Sequence, residues 1–196
     1  MFSQLKQSSL IKSVSTYTLL NMINSGIPIA LLPVLTTYLT ASDFGLLTNF
    51  NAIFFFIVPF MGLSINASVS RQYYKKEVVF NQYNGNALLI VILNFVIISS
   101  IVFILLEEIG TLTSLPVNII LSVSFYSFIH ILFELLLTIW RLENKALKFG
   151  IFRISRSAFE IGLSLLFIIH YNQDWYGRIL GIYISSVIGF IFLIFY

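Results

Sequence analysis

The 196-residue sequence contains no cysteine. That excludes a disulfide framework, a Cys-ligated zinc site and an iron–sulfur cluster. Charge is scarce too: Asp, Glu, Lys and Arg make up 10% of the chain, against about 25% in an average soluble domain. Long polar loops are missing, as are the signatures of nucleotide binding (GxxxxGK[ST]), zinc hydrolysis (HExxH) and serine hydrolysis (GxSxG). Their absence argues against an ATP-driven pump and against an enzyme working from a sizeable loop. No cofactor, metal or nucleic-acid partner is expected.

What the chain has instead is apolar side chains, 58% of the total, and a mean hydropathy of +0.95. Such a composition belongs in a bilayer, where a spanning helix needs roughly 20 apolar residues. Six runs reach that length: 14–39, 44–67, 85–106, 116–140, 149–169 and 177–196. All are expected to be helical, because an open strand leaves backbone groups unpaired in lipid. The expected fold is an all-α polytopic membrane protein, a single six-helix lobe over residues 1–196. The first run follows Lys6 and Lys12, but Asn21, Asn24, Pro28 and Pro33 interrupt it and no small-residue cleavage site follows, so it reads as a span and not a signal peptide.

The few charges are unevenly placed. With the N-terminus cytoplasmic, the same side carries Lys6, Lys12, Arg71, Lys75, Lys76, Arg141, Lys145 and Lys148, with Arg153 and Arg156 just inside the fifth run. The opposite side holds Arg178 alone among basic residues, beside Asp43, Glu107, Glu108 and Asp174. By the positive-inside rule both termini are cytoplasmic. Tyr17, Tyr38, Tyr73, Tyr74, Trp140, Trp175 and Tyr176 fall near the expected interfaces and read as belt anchors.

Ionisable residues inside the spans carry more information. His130 and Glu134 are four apart on the fourth run, and Arg153, Arg156 and Glu160 share a face of the fifth. Counting about 1.5 Å per residue from Arg141 and Lys148 puts Glu134 and His130 about 10 and 16 Å deep, and Arg153, Arg156 and Glu160 about 8, 12 and 18 Å deep. Glu134 is therefore expected to meet Arg153 or Arg156, and His130 to meet Arg156 or Glu160. Two readings stay open: an ion-pair cluster that locks two helices, or a cationic, protonatable lining for an anionic substrate or a coupling ion. Polar stripes on the first run (Tyr17, Asn21, Asn24, Pro28) and the second (Thr48, Asn51, Pro59, Gly62, Asn66) divide likewise between interhelical glue and cavity lining. The candidate substrate contacts are thus Arg71, Arg153, Arg156, Asn21, Asn24 and Asn51. The candidate ion-coupling residues are His130, Glu134 and Glu160. Gly181, Ser185 and Gly189 form a small-residue row suited to close helix packing.

Three stretches carry a resemblance. Leu35-Thr-Thr-Tyr-Leu-Thr-Ala-Ser-Asp43-Phe44-Gly45-Leu46 resembles the first turn of the oligosaccharide flippases, the polysaccharide-biosynthesis branch of the multidrug/oligosaccharidyl-lipid/polysaccharide exporter superfamily. Gly62-Leu-Ser-Ile-Asn-Ala67-Ser-Val-Ser-Arg71-Gln-Tyr73 is similar to that family's second-helix end, and Trp140-Arg141-Leu-Glu-Asn-Lys145-Ala to its basic turn after the fourth helix. Together they span nearly the whole chain. The resemblance implies a non-enzymatic carrier in the bacterial inner membrane that moves undecaprenyl-linked oligosaccharide repeats, O-antigen or capsule units, to the periplasmic leaflet by alternating access. It implies membrane lipid and a polyprenyl-diphosphate-linked glycan as partners, and it matches Arg71 by position. It also implies that this lobe is the N-terminal half of a transporter of about 12 to 14 helices, completed by a second lobe or by a homodimer. The competing readings are a cation-coupled small-molecule exporter of the same superfamily and a non-transporting membrane scaffold.

Overall fold

The computed structural model describes residues 2–75 and 80–195; for 2–14 and 193–195 it describes the backbone alone. Lys76 lies outside the described residues, and the side chains of Lys6 and Lys12 lie outside them as well. The described chain is a multi-pass, all-α membrane protein with no strand: α1 (Phe2–Tyr38), α2 (Ala41–Gly62), α3 (Ile65–Tyr73), α4 (Phe80–Ile104), α5 (Leu106–Thr113), α6 (Val117–Leu142), α7 (Ala146–Leu165) and α8 (Asp174–Phe195). A π-helical turn, Leu166–His170, continues α7.

Short, chemically specific turns join these helices. Thr40 caps α2 in a capping box: its backbone N–H donates to Asp43 Oδ2 at 2.8 Å, while the Asp43 N–H donates to Thr40 Oγ1 at 3.3 Å. The acidic residue of the Asp43-Phe44-Gly45 stretch is therefore a helix cap. The α6–α7 turn ends α6 in a Schellman motif, with Asn144 left-handed at φ 57° and the Lys145 N–H donating to the Trp140 carbonyl at 2.8 Å. Between α2 and α3 the break falls on Leu63 and Ser64, at φ 41° and 56°. Neither is a glycine, so the bend is held against local preference, and Ile65 and Val69 of α3 are buried beyond it.

Successive crossings alternate in direction. Asn49 of α2 donates to the Thr113 carbonyl at the end of α5, just ahead of α6, and Phe54 meets both Tyr126 and His130, so α2 and α6 run parallel. Asn118 on α6 donates to the Tyr176 hydroxyl of α8 at 3.3 Å and Ser122 to the Tyr183 hydroxyl at 2.6 Å, a matching order that makes those two parallel as well. Arg71, Lys75, Arg141, Lys145 and Lys148 consequently gather at one end of the bundle, while Asp43, Glu107, Glu108 and Asp174 gather at the other.

Five stretches are long and apolar enough to cross a membrane: Ser15–Tyr38, Ala41–Tyr73, Phe80–Ile104, Val117–Leu142 and Asp174–Phe192. The expected span 149–169 is not among these five; α7 and its π-turn occupy its place and run from the basic end to the acidic end, as α1 and α4 do, while α2, α6 and α8 run the other way. Lys148, Arg153, Arg156 and Glu160 make it too polar to qualify by composition; its charges are tolerated because α1, α6 and α8 all pack on it. α6 is the central helix, buried along Ile119, Ile120, Val123, Ile129, Phe133 and Leu137. Two expected belt aromatics face inward instead. Trp140 is 2% exposed against the Phe152 ring, and Tyr17 stands edge-on to Phe149.

The small-residue row of α8 fits close contacts. A Cβ on Gly181 would overlap Ser164 of α7, lying 2.6 Å from its backbone nitrogen, and one on Gly189 would lie 2.9 Å from the Phe133 ring. Gly181→Ala is expected to destabilise the bundle by about 1–3 kcal/mol, because backbone must move to admit the methyl. Gly26, with open space around its Cα, provides the control. In thermal unfolding in detergent, Gly181→Ala lowers Tm while Gly26→Ala does not.

Candidate functional site

The ionisable residues of α7 organise a polar seam through the middle of the bundle. On one flank α1 runs parallel to α7 and makes a ladder with it. Tyr17 meets Phe149, Arg153 Nη1 donates to Asn21 Oδ1 at 2.8 Å, and Ser157 Oγ donates to Asn24 Oδ1 at 2.7 Å. The four-, three- and four-residue spacing of the α1 stripe matches successive turns of α7, so each amide finds a donor across the interface. Gly150 lets Leu20 approach between the rungs. This ladder ties α1 to α7, and α1 takes its main support there, not from α2, its neighbour in the chain.

On the other flank α8 supplies an arginine. Arg178 Nη2 pairs with Glu160 Oε1 at 2.8 Å, and Arg178 Nη1 donates to Ser164 Oγ at 2.8 Å. Ser164 Oγ in turn donates to the Glu160 carbonyl at 2.7 Å. Both charged side chains are mostly buried, at 16% and 19% exposure. This corrects the expected pairing of Glu160 with His130. Arg178 sits one turn inside α8, and the tight Gly181–Ser164 contact holds its helix close enough for the long side chain to reach Glu160.

Between the flanks, Arg156 points at α6. Its guanidinium lies 4.2 Å from the centre of the Phe133 ring, and its buried Nε has no hydrogen-bond partner among the described residues. His130 is close enough to feel the charges of Arg156 and Arg153, yet its ring packs against Phe54, and its buried Nδ1 has no hydrogen-bond partner. Glu134 is half-buried on α6 and makes no ion pair with Arg153 or Arg156 among the described residues, which corrects that expectation too. Helix rotation turns Arg153 toward α1 and Arg156 toward the aromatic face of α6.

The remaining candidates lie apart. Asn51 is exposed on α2, and Arg71 is exposed at the end of α3. Neither joins the seam. Sequence reasoning missed Tyr126, Phe133, Ser157 and Ser164, whose roles come from what faces them. Arg178 stands in the sequence as the one basic residue on the acidic side, the signal that could have marked it as a partner for Glu160.

The seam's electrostatics are lopsided. Its acid on α7 is neutralised by Arg178, while Arg153 and Arg156 are held by a neutral amide and aromatic faces among the described residues. A guanidinium so held keeps its full charge and its capacity for phosphate or carboxylate oxygens. A cavity of about 650 Å³ between α2, α4 and α5 offers no comparable chemistry. It is walled by Phe56, Phe60, Ile97, Ile101 and other apolar side chains, and Asn94 there is spent on the Met61 carbonyl.

Removing one partner from the α7–α8 pair leaves a buried charge uncompensated, at roughly 3–5 kcal/mol. Arg178→Met should therefore lower Tm in detergent far more than the double variant Glu160→Gln, Arg178→Met does. Equal losses in the two variants would show that the pair does not lock the helices.

Compared with known proteins, residues 10–196 match the model of a family described as "Polysaccharide biosynthesis protein". No curated protein and no solved structure matches the chain.

Proposed function

The chain belongs to the polysaccharide biosynthesis protein family, and on that premise we propose that it carries a polyprenyl-diphosphate-linked oligosaccharide repeat, of the O-antigen or capsule kind, from the cytoplasmic to the periplasmic leaflet of a bacterial inner membrane. The basic end of the bundle is cytoplasmic in this reading. The observation that carries it is the uncompensated cationic centre on α7: Arg153 and Arg156 sit at span depth with neutral partners, while the acid of the same helix is taken by Arg178. A diphosphate head group supplies the missing negative charge, and guanidinium forks match its oxygens. Cationic cargo would need free carboxylates where this seam has arginines.

Transport follows by alternating access. The α1–α7 ladder moves Asn21 and Arg153 as a unit, and a second lobe encloses the sugar while the prenyl chain stays in lipid. Asn51 and Thr48, exposed on α2 at span depth, face the water-filled space this requires. The carrier does no covalent chemistry and needs no metal or cofactor.

The reading is tested in a strain lacking the gene, where lipid-linked repeat units accumulate in the inner leaflet. Complementation with Arg153→Gln plus Arg156→Gln should lower export at least tenfold with the protein still present in the membrane, while Arg153→Lys retains part of it. Full export by the double glutamine variant would overturn the assignment of these arginines to cargo.

A further inference from the structure

α7 and α8 are pinned together at the Gly181–Ser164 contact, and nearer the basic end their Phe152 and Phe192 rings meet with centroids 5.6 Å apart. Along this seam lies a lateral slot of about 440 Å³, lined on α7 by Lys148, Ile151, Phe152, Ser155 and Phe159, on α8 by residues that include Phe192, and at its inner wall by Trp140. Arg156 contributes to the same wall, with its guanidinium turned onto Phe133. From Lys148 to Phe159 the slot runs eleven residues, about 16 Å of helix, which is about half of a 30 Å hydrocarbon core. It thus has the depth of one leaflet. Its walls are mainly apolar, and among the described residues its charged wall residues are Lys148 and Arg156, with no carboxylate. The α6–α7 turn at the same end of the bundle carries Arg141 and Lys145 as well as Glu143, which pairs with Lys145.

From this geometry we infer a retained-lipid site: one acyl chain of an anionic phospholipid from the basic-side leaflet lies in the α7–α8 slot, with its phosphate at Lys148. A zwitterionic phospholipid fits the same walls and lacks the charge complement. The site concerns the lipid around the carrier and not its cargo, so it stands or falls separately from the function proposed above.

Trp140 provides the probe, because the chain has two tryptophans and Trp175→Phe leaves Trp140 alone in the slot wall. The full chain is reconstituted in nanodiscs, and Trp140 quenching is titrated with phospholipid brominated along its chains, as phosphatidylglycerol or as phosphatidylcholine. Half-quenching is expected at about fivefold lower mole fraction of the anionic lipid, the ratio that one basic side chain near an anionic surface provides. Lys148→Gln brings the two curves together and Lys148→Arg keeps them apart. Ser155→Leu, which fills the slot, weakens quenching by both lipids. Identical curves for the parent protein, or a preference that survives Lys148→Gln, overturns the site. Loss of the phosphatidylglycerol quenching on adding an equal mole fraction of polyprenyl phosphate also overturns it, by making the slot a berth for the cargo's tail.

Discussion

Hydrocarbon does not solvate a guanidinium, and α7 carries two of them together with a carboxylate. Any helix placed beside this segment must cover or answer those charges. The three neighbours divide the work by chemistry. α1 brings amides to Arg153 and Ser157, α6 brings an aromatic face to Arg156, and α8 brings the counter-charge to Glu160. The rest of the bundle is arranged behind them: α2 and α4 pack on the far side of α6, through apolar and aromatic contacts that need no polar partners.

This division separates two kinds of charge that composition alone lumps together. Glu160 and Arg178 neutralise each other and have a third group, Ser164, to orient them, which is how a buried pair comes to fix helix position. Arg153 and Arg156 are oriented without being neutralised. The ion-pair lock that the spacing left as one alternative is present on α7, with α8 and not α6 as its partner, and the two arginines outside that pair are the ones the proposed function assigns to cargo.

The spans, their alternation and the gathering of basic residues at one end were legible because hydropathy and loop charge depend only on local sequence. The break at Leu63–Ser64 was not, since both residues are ordinary helix or turn formers, and the left-handed pair persists only because Ile65 and Val69 are buried beyond it. Membership of one face could be read for Arg153, Arg156 and Glu160; the partner of each could not. Partner choice depends on rotation of α7 about its axis and on which helix lies across it, and the α1 partners are 132 and 133 residues away in sequence. Asp43 shows the reverse case. Its place in a recognisable stretch suggested significance, and its chemistry proves to be local, closing the first turn of α2.

The ladder between α1 and α7 has a consequence for how the chain is made. α1 leaves the ribosome well before α7, which carries the partners of its amides at Asn21 and Asn24. At roughly 5–20 residues per second of synthesis, those partners arrive on the order of 10 s later. During that interval α1 sits in the bilayer, or is shielded by the insertion machinery, with polar groups unanswered. Docking of α1 on α7 is therefore a late clasp between two segments far apart in the chain.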